Sequence, residues 1–187
     1  MAREVIRVLE MVVAGPAHLV GWSDGGIVGL LVALERPELV RKLVVIGTNY
    51  HYDGLMPVEP DPESPLFQAL STAYVERSPD GAEHFDVVLG KSLAMFGSEP
   101  TMTTADIARI TQPTLVVVGD DDMVTLSHTS SLYESLPQGQ LAIVPGASHA
   151  LPLEQPDALA GLILEFLAAA ESPRTLVPVR RAGRPGA

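Results

Sequence analysis

The chain has 187 residues, of which 47% are hydrophobic and 19% are charged, and this length and composition fit one folded domain. It contains no cysteine, which excludes disulfides, thiolate-bound zinc, iron–sulfur clusters and a cysteine nucleophile. The net charge of −11, which becomes −14 over residues 1–170, disfavours a nucleic-acid partner because an acidic surface repels a phosphate backbone.

The apolar segments are too short for a membrane helix, since none approaches the roughly 18 residues that a crossing requires. The residues that open the sequence carry scattered charges and lack the clean apolar stretch of a signal peptide. We therefore expect a cytoplasmic protein without a membrane partner.

The first fifty residues alternate between helix-like and strand-like patterns. Residues 2–13 place their apolar side chains on one helical stripe, and residues 27–35 are apolar almost all round, as a buried helix is. Residues 17–22 and 42–47 are runs of leucine and β-branched residues without alternation. Such runs are typical of parallel strands buried on both faces.

Residues 51–104 interrupt this alternation. They begin with a loop rich in proline, glycine and acidic residues, and helices are predicted over 65–77 and 81–96. We interpret the segment as a small helical lid, inserted between two parts of a core formed by residues 1–50 and 105–170.

The alternation resumes after the lid. Strands are predicted over residues 114–119 and 141–145, and helices over 127–136 and 157–170. Strands that alternate with helices form right-handed βαβ units, so the fold class is α/β, with a parallel sheet of about four strands. Residues 171–187 are rich in proline, arginine and glycine, and we expect a disordered tail there.

A glycine-rich motif, GWSDGG, joins the first predicted strand to the buried helix. It has the G-x-S-x-G form, and its strand–turn–helix context predicts a sharp elbow that lifts the Ser23 hydroxyl clear of the sheet. We expect Gly21 and Gly25 to be required because a side chain at either position would collide with neighbouring backbone. The backbone N–H of Asp24 is placed to donate to a developing oxyanion.

A serine nucleophile needs a base, and the base needs a carboxylate to orient it. His149 follows the last predicted strand and is the candidate base. Three adjacent aspartates, Asp120, Asp121 and Asp122, follow the strand before it, and the spacing alone leaves the choice among them open. The chain order is serine, aspartate, histidine.

These segments resemble the α/β-hydrolase family. The resemblance rests on GWSDGG, PTLVVVGDDD and VPGASHALPLEQPD, and it extends over residues 2–170. In that family the acid commonly lies three positions after the glycine that ends the strand, which implies Asp122. The elbow is most similar to the valacyclovir hydrolase (biphenyl hydrolase-like) branch, and the insertion stands where the family places its lid.

Other candidates are weaker. Trp22 either walls the pocket, donates from its indole or simply packs, and Asn49 and Tyr50 follow a strand end where substrate contacts are expected. The Asp24 carboxylate is either a substrate ammonium site or a helix N-terminal acid favoured by the helix dipole. No metal site is predicted, and three histidines are interpreted as surface or core residues: His18, His84 and His128.

The resemblance also implies that part of the usual fold has no counterpart in this sequence. The family has about eight strands, and only four are found, so the loop that supplies a second oxyanion donor has no match here. A missing donor costs on the order of 10²–10³ in rate, and activity would suffer accordingly. Strand 17–22 becomes an open edge that could pair with a second copy or a complementing chain. A truncated gene product, an incorrect start site and a piece completed by another chain remain alternatives.

We therefore expect a serine hydrolase that cleaves a small carboxylic ester through an acyl-enzyme and requires no cofactor. Ser23, His149 and Asp122 are its candidate catalytic residues. One alternative is a catalytically silent remnant or interaction protein, and another is a cofactor-free haloperoxidase or peroxyacid-forming relative.

Overall fold

A computed structural model describes residues 1–57, 61–170, 173 and 175–179. Strands and helices alternate along the core, and two longer helices occupy the predicted lid. The elements are α1 (Ala2–Val8, continued by a π-helical turn, Leu9–Val13), β1 (Ala17–Trp22), α2 (Asp24–Glu35), β2 (Val40–Ile46), α3 (Pro65–Arg77), α4 (Phe85–Phe96), α5 (Thr104–Ile107), β3 (Thr114–Asp121), α6 (Leu126–Ser135), β4 (Gly139–Ser148), α7 (Leu151–Glu154) and α8 (Pro156–Ala168). The short helices α5 and α7 have too few residues to show a periodic pattern, and the sequence did not predict them.

The four strands form one parallel sheet in the order β1-β2-β3-β4, which confirms the predicted α/β class. Parallel neighbours need a crossover, and the chain supplies one between each pair of strands. All four carboxyl ends therefore lie at the same edge of the sheet, where loops that follow the strands can meet.

Alternate strand residues bury themselves in two separate clusters, one on each face of the sheet. Leu43 and Val116 pack with α1, α2, α5 and α6, whereas Val44 and Val117 pack with α7 and α8. Both central strands are therefore buried on both faces, as their continuous apolar runs predict.

Strand β1 departs from that prediction. Ala17 and Leu19 pack toward the first cluster, but Val20 and Trp22 remain 49% and 41% exposed. The reason is its place at one end of the sheet, where the second cluster, built around α8, includes no residue of β1. The expectation that this edge pairs with a second copy or another chain stays a prediction.

The segment that contains α3 and α4 leaves and re-enters the core at one point. The Tyr52 N–H donates to the Pro100 carbonyl at 2.8 Å, and the Met102 N–H donates to the Tyr50 carbonyl at 3.0 Å. The two helices pack through an edge-to-face contact of Phe67 and Phe85, with ring centroids 5.6 Å apart. The geometry is that of a helical insertion fastened beside the end of β2.

Among the helices of the described residues, none has the length and apolarity needed to cross a membrane. The predicted disordered tail, 171–187, lies mostly outside the described residues.

Candidate active site

The elbow has the strained backbone that its motif predicts. Ser23 has φ of 54° and ψ of −122°, a region that costs a non-glycine residue roughly 1–3 kcal/mol. Its N–H donates to the Ile46 carbonyl of β2 at 2.8 Å, and its carbonyl accepts the Gly26 N–H at 2.9 Å. The serine is thus fixed between a strand end and the first turn of α2.

Gly21 and Gly26 leave the space that this turn requires, whereas the sequence predicted Gly21 and Gly25. A Cβ on Gly21 would overlap the Gly25 carbonyl, as predicted, and a Cβ on Gly26 would overlap the Thr48 side chain. The expectation for Gly25 is wrong, since a Cβ there would have no atom within 4 Å. Gly25 lies on the open side of the first helical turn, whereas Gly26 faces the loop after β2.

The structure brings Ser23, His149 and Asp122 together from the ends of β1, β4 and β3. His149 Nε2 lies 3.0 Å from Ser23 Oγ, and His149 Nδ1 lies 2.9 Å from Asp122 Oδ1. The Asp122 side chain is only 1% exposed. The Val124 N–H also donates to Asp122 Oδ1 at 2.9 Å, so the carboxylate is held by its own loop.

The three adjacent aspartates have different surroundings. Among the described residues, Asp122 is the carboxylate that contacts the His149 ring. Asp120 accepts the Gly146 N–H at 2.7 Å and so holds the backbone of the histidine loop. Asp121 is exposed. The choice that spacing left open thus has a geometric basis.

Gly47 is a site residue that the sequence reasoning missed. It follows β2 with φ of +53°, and a Cβ there would lie 2.9 Å from Asp122 Oδ2 and 3.0 Å from His149 Nδ1. The aspartate–histidine pair therefore rests directly over this glycine. A glycine at the carboxyl end of a predicted central strand was the available signal.

Asp24 is the first residue of α2, and its N–H belongs to the turn whose N–H groups lack intrahelical acceptors. Partial burial raises the pKa of the Asp24 carboxyl, while the neighbouring charge of His149 acts in the opposite direction. Asp24 lines a cavity of about 190 Å³ together with Glu99, Ile27 and Met95.

The other predicted pocket residues lie in different places. The Trp22 indole N–H donates to the His149 carbonyl at 2.8 Å. Asn49 and Tyr50 are both buried, and the Tyr50 hydroxyl lies 2.9 Å from Ser131 Oγ. Their loop reaches a cavity instead through later residues, among them Tyr52.

Of the three histidines interpreted as surface or core residues, His128 packs against the buried residue Tyr50. Its Nε2 accepts the Tyr50 N–H at 3.1 Å, and its ring stacks on that of Tyr50 with centroids 4.1 Å apart. Burial lowers the pKa of His128 to about 4, so the ring is neutral. Within the described part of the chain, no group of three or more metal-ligating side chains is close enough to hold a metal ion.

A cavity of about 790 Å³ lies between α3, α4 and the loops after β2 and β3. Its walls are mainly apolar, and Met123, the neighbour of Asp122, forms part of them. Carboxylates stand at Asp53 and Asp61, and the described lining includes no lysine or arginine. The cavity therefore suits an apolar group without a negative charge.

Fold and site together define a parallel α/β protein with a serine, histidine and aspartate at its strand ends. Residues 2–162 match the model of the alpha/beta hydrolase family. The chain belongs to the α/β-hydrolase family.

Named relatives agree with this membership. The chain is 29% identical to a protein named as the carbamate hydrolase RutD of Azorhizobium caulinodans, covering 89% of this chain and 71% of that protein. It is 26% identical to the mouse serine hydrolase BPHL, covering 89% of this chain and 60% of the mouse protein. The crystal structure of a Pseudomonas aeruginosa hydrolase superposes with a TM-score of 0.66 at 28% identity, over 90% of this chain and 71% of that one.

Proposed function

We propose that the protein is a serine hydrolase that transfers the acyl group of a small ester, or of a related compound such as a carbamate, to water. The contact that supports this most directly is the 3.0 Å approach of His149 Nε2 to Ser23 Oγ. The distance lies within the range required of a nucleophile and its general base.

In the proposed reaction, Ser23 attacks the substrate carbonyl while His149 Nε2 accepts the hydroxyl proton. Asp122 is an acceptor when ionised, so Nδ1 carries the hydrogen of the 2.9 Å contact and Nε2 is left free as the base. His149 then protonates the leaving group. A water molecule activated by the same nitrogen attacks the acyl-enzyme and releases the acid and Ser23.

The negative charge of the tetrahedral intermediate would form beside the first turn of α2. The Asp24 N–H is the proposed donor to it, and the N-terminal end of the helix dipole favours the same charge.

The cavity between α3, α4 and the loops after β2 and β3 supports a proposal for the substrate class. Leu55, Phe67 and Leu93 give it apolar walls, and the charged residues of its described lining are Asp53 and Asp61. We propose an ester with an apolar portion and no carboxylate near it. In a series of p-nitrophenyl esters, kcat/KM should rise as the acyl chain lengthens from acetate to hexanoate.

A fluorophosphonate probe tests the central claim, because it labels only an activated serine. Labelling should occur on the folded wild-type protein and vanish in Ser23→Ala, which removes the attacking oxygen. Ser98→Ala is the matched control, since Ser98 lies after α4 and donates to the Ala94 carbonyl. A folded wild-type protein that takes up no label would contradict the proposal and favour the silent remnant.

The cavity that Asp24 shares with Glu99 supports a narrower proposal, an aminoacyl ester whose ammonium group lies beside these two carboxylates. Asp24→Asn keeps the backbone N–H and removes the charge. Its kcat/KM should fall roughly tenfold or more for an aminoacyl ester, which corresponds to the strength of a charge-assisted contact, and little for the matched neutral ester. Equal losses on both esters would reject the ammonium site and leave the serine mechanism intact.

A further inference from the structure

His149 stands in a loop that has to cross the sheet. Strands β1 and β4 are at opposite ends of the sheet order, so three strand spacings, roughly 14 Å, separate their carboxyl ends. The last residue of β4 in register with a neighbour is Ser148, opposite Asp121 of β3. From that point the reach toward Ser23 depends on side-chain contacts.

The β4 side of this loop is clamped by two carboxylates. Glu154 accepts the Ser148 N–H at 2.7 Å and the Ser148 hydroxyl at 2.8 Å. Asp120 accepts the Gly146 N–H at 2.7 Å. These contacts fix the start of the loop, but both lie on the side of β3 and β4, away from the nucleophile.

The β1 side is held by Trp22. Its indole N–H donates to the main-chain carbonyl of His149 at 2.8 Å, and the two ring centroids are 5.9 Å apart. Trp22 directly precedes Ser23, so the residue that holds the His149 backbone and the nucleophile belong to one rigid strand end. The side chain is 41% exposed, so apolar burial alone does not account for its orientation.

We propose that Trp22 is a positioning residue for His149, an inference that rests on the proposed function. Asp122 fixes the imidazole at Nδ1, and Trp22 fixes the backbone from which the imidazole extends. With both points held, Nε2 stays within reach of Ser23 Oγ. Removing the indole contact frees the backbone, and small displacements of a reacting group are costly in rate.

Trp22→Phe removes the indole N–H and keeps an aromatic ring. The rate at which a fluorophosphonate labels Ser23 should fall roughly threefold to tenfold, in line with the net worth of one hydrogen bond. For a neutral ester the loss should appear in kcat, with KM unchanged. Val20→Ala is the matched control, because Val20 lies on the same exposed face of β1 two residues earlier. It should label at the wild-type rate.

The chain has a single tryptophan, which allows a closer test. Global replacement by benzothienylalanine changes only residue 22 and substitutes sulfur for the N–H in a side chain of nearly the same shape. If the hydrogen bond matters, this protein should lose as much labelling rate as Trp22→Phe. If it labels like the wild type, packing accounts for Trp22 and the inference is overturned. The same isostere decides the matter where Trp22→Phe does not fold.

The contact also has a readout that needs no activity. The one indole N–H gives one proton resonance, whose exchange with water should be slower than that of free tryptophan. His149→Ala should preserve the slow exchange, because the acceptor is a main-chain carbonyl. Exchange as fast as in free tryptophan would show that the indole hydrogen bond to His149 is absent and would overturn the inference. A wild-type protein that takes up no label would overturn the proposed function and this role together, whereas equal labelling of wild type and both Trp22 replacements would overturn this inference alone.

Discussion

The nucleophile elbow and the loop that carries His149 reach the same point by different physical means. The elbow is held by its own backbone: Ser23 takes the positive φ, and Gly21 and Gly26 leave the space that the turn requires. The last residues of β4 and His149 after them are held from outside, by side chains that arrive from β1, β3 and α7.

This difference explains what a short motif can reveal. A turn that is fixed by its own glycines can be recognised from six consecutive residues. A loop fixed by remote carboxylates and an indole has no such local pattern, because its partners are 6 to 127 residues away. Substitutions in the two regions should therefore act differently. In the elbow they should disturb the local backbone, and near His149 they should break contacts between residues far apart in the sequence.

The largest effect is expected for Asp122→Asn, which changes the residue that holds the His149 ring. An asparagine amide donates toward His149 Nδ1 and so favours the tautomer in which Nε2 carries the hydrogen. The base is then lost, and kcat for ester hydrolysis should fall roughly 10⁴-fold, the loss known for this change in a serine protease triad. Steady-state kinetics on a p-nitrophenyl ester measures it.

The neighbouring aspartates provide graded controls for that experiment. Asp120→Ala removes the acceptor of the Gly146 N–H and of the more distant Ala147 N–H, and it should cost roughly tenfold or less. The exposed Asp121→Ala should be close to wild type. Similar losses in all three variants would mean that the geometric distinction among them has no functional weight.

Much of the elbow region was predictable from sequence, and little of the loop region was. The strand before Ser23 and the helix after it are written in continuous apolar runs, and the predicted lid helix over 65–77 has those bounds in the structure. The apolar run of β1 predicts burial on both faces, and this is wrong because the strand lies at an end of the sheet. Composition alone does not reveal that position, whereas the family resemblance implied an open edge at residues 17–22. The contact of Trp22 with His149 depends on packing over 127 positions and has no local signature.

A second, smaller effect lies where the two regions meet, at Gly47. A Cβ at this position would press on both Asp122 Oδ2 and His149 Nδ1, and the φ of +53° adds backbone strain. Gly47→Ala should therefore lower kcat roughly a hundredfold by displacing the pair. The measurements are kcat and the thermal unfolding midpoint. The midpoint should fall only slightly, so that unfolding does not account for the loss of kcat.

Gly25→Ala is the matched substitution within the elbow. A Cβ there meets no atom within 4 Å, and alanine is the better helix former. Activity and stability should stay near those of the wild type. If Gly25→Ala were as damaging as Gly47→Ala, the account of which glycines are required would be wrong.

The smallest effect concerns stability and a third anchoring contact, the one between His128 of α6 and the loop after β2. His128 Nε2 accepts the Tyr50 N–H, so a proton on that nitrogen would oppose the contact. Burial and, to a smaller extent, the charge of His51 lower the pKa of His128 to about 4, against an opposing effect of Asp53. The folded protein therefore binds fewer protons than the unfolded chain between about pH 4 and the ordinary value of 6.5. Stability is lost as the pH falls through that window and levels off below it.

Urea unfolding at pH 7 and pH 5 isolates this contribution. His128→Phe keeps a ring to stack on Tyr50 and cannot take up a proton, while His51 and Asp53 are unchanged in both proteins. The wild type should lose roughly 1 kcal/mol more between the two pH values than the variant, a figure reduced for the partial solvent exposure of the ring. Parallel losses would show that other groups carry the acid sensitivity. A larger loss in the wild type would show that the contact of His128 with Tyr50 links the stability of the fold to pH.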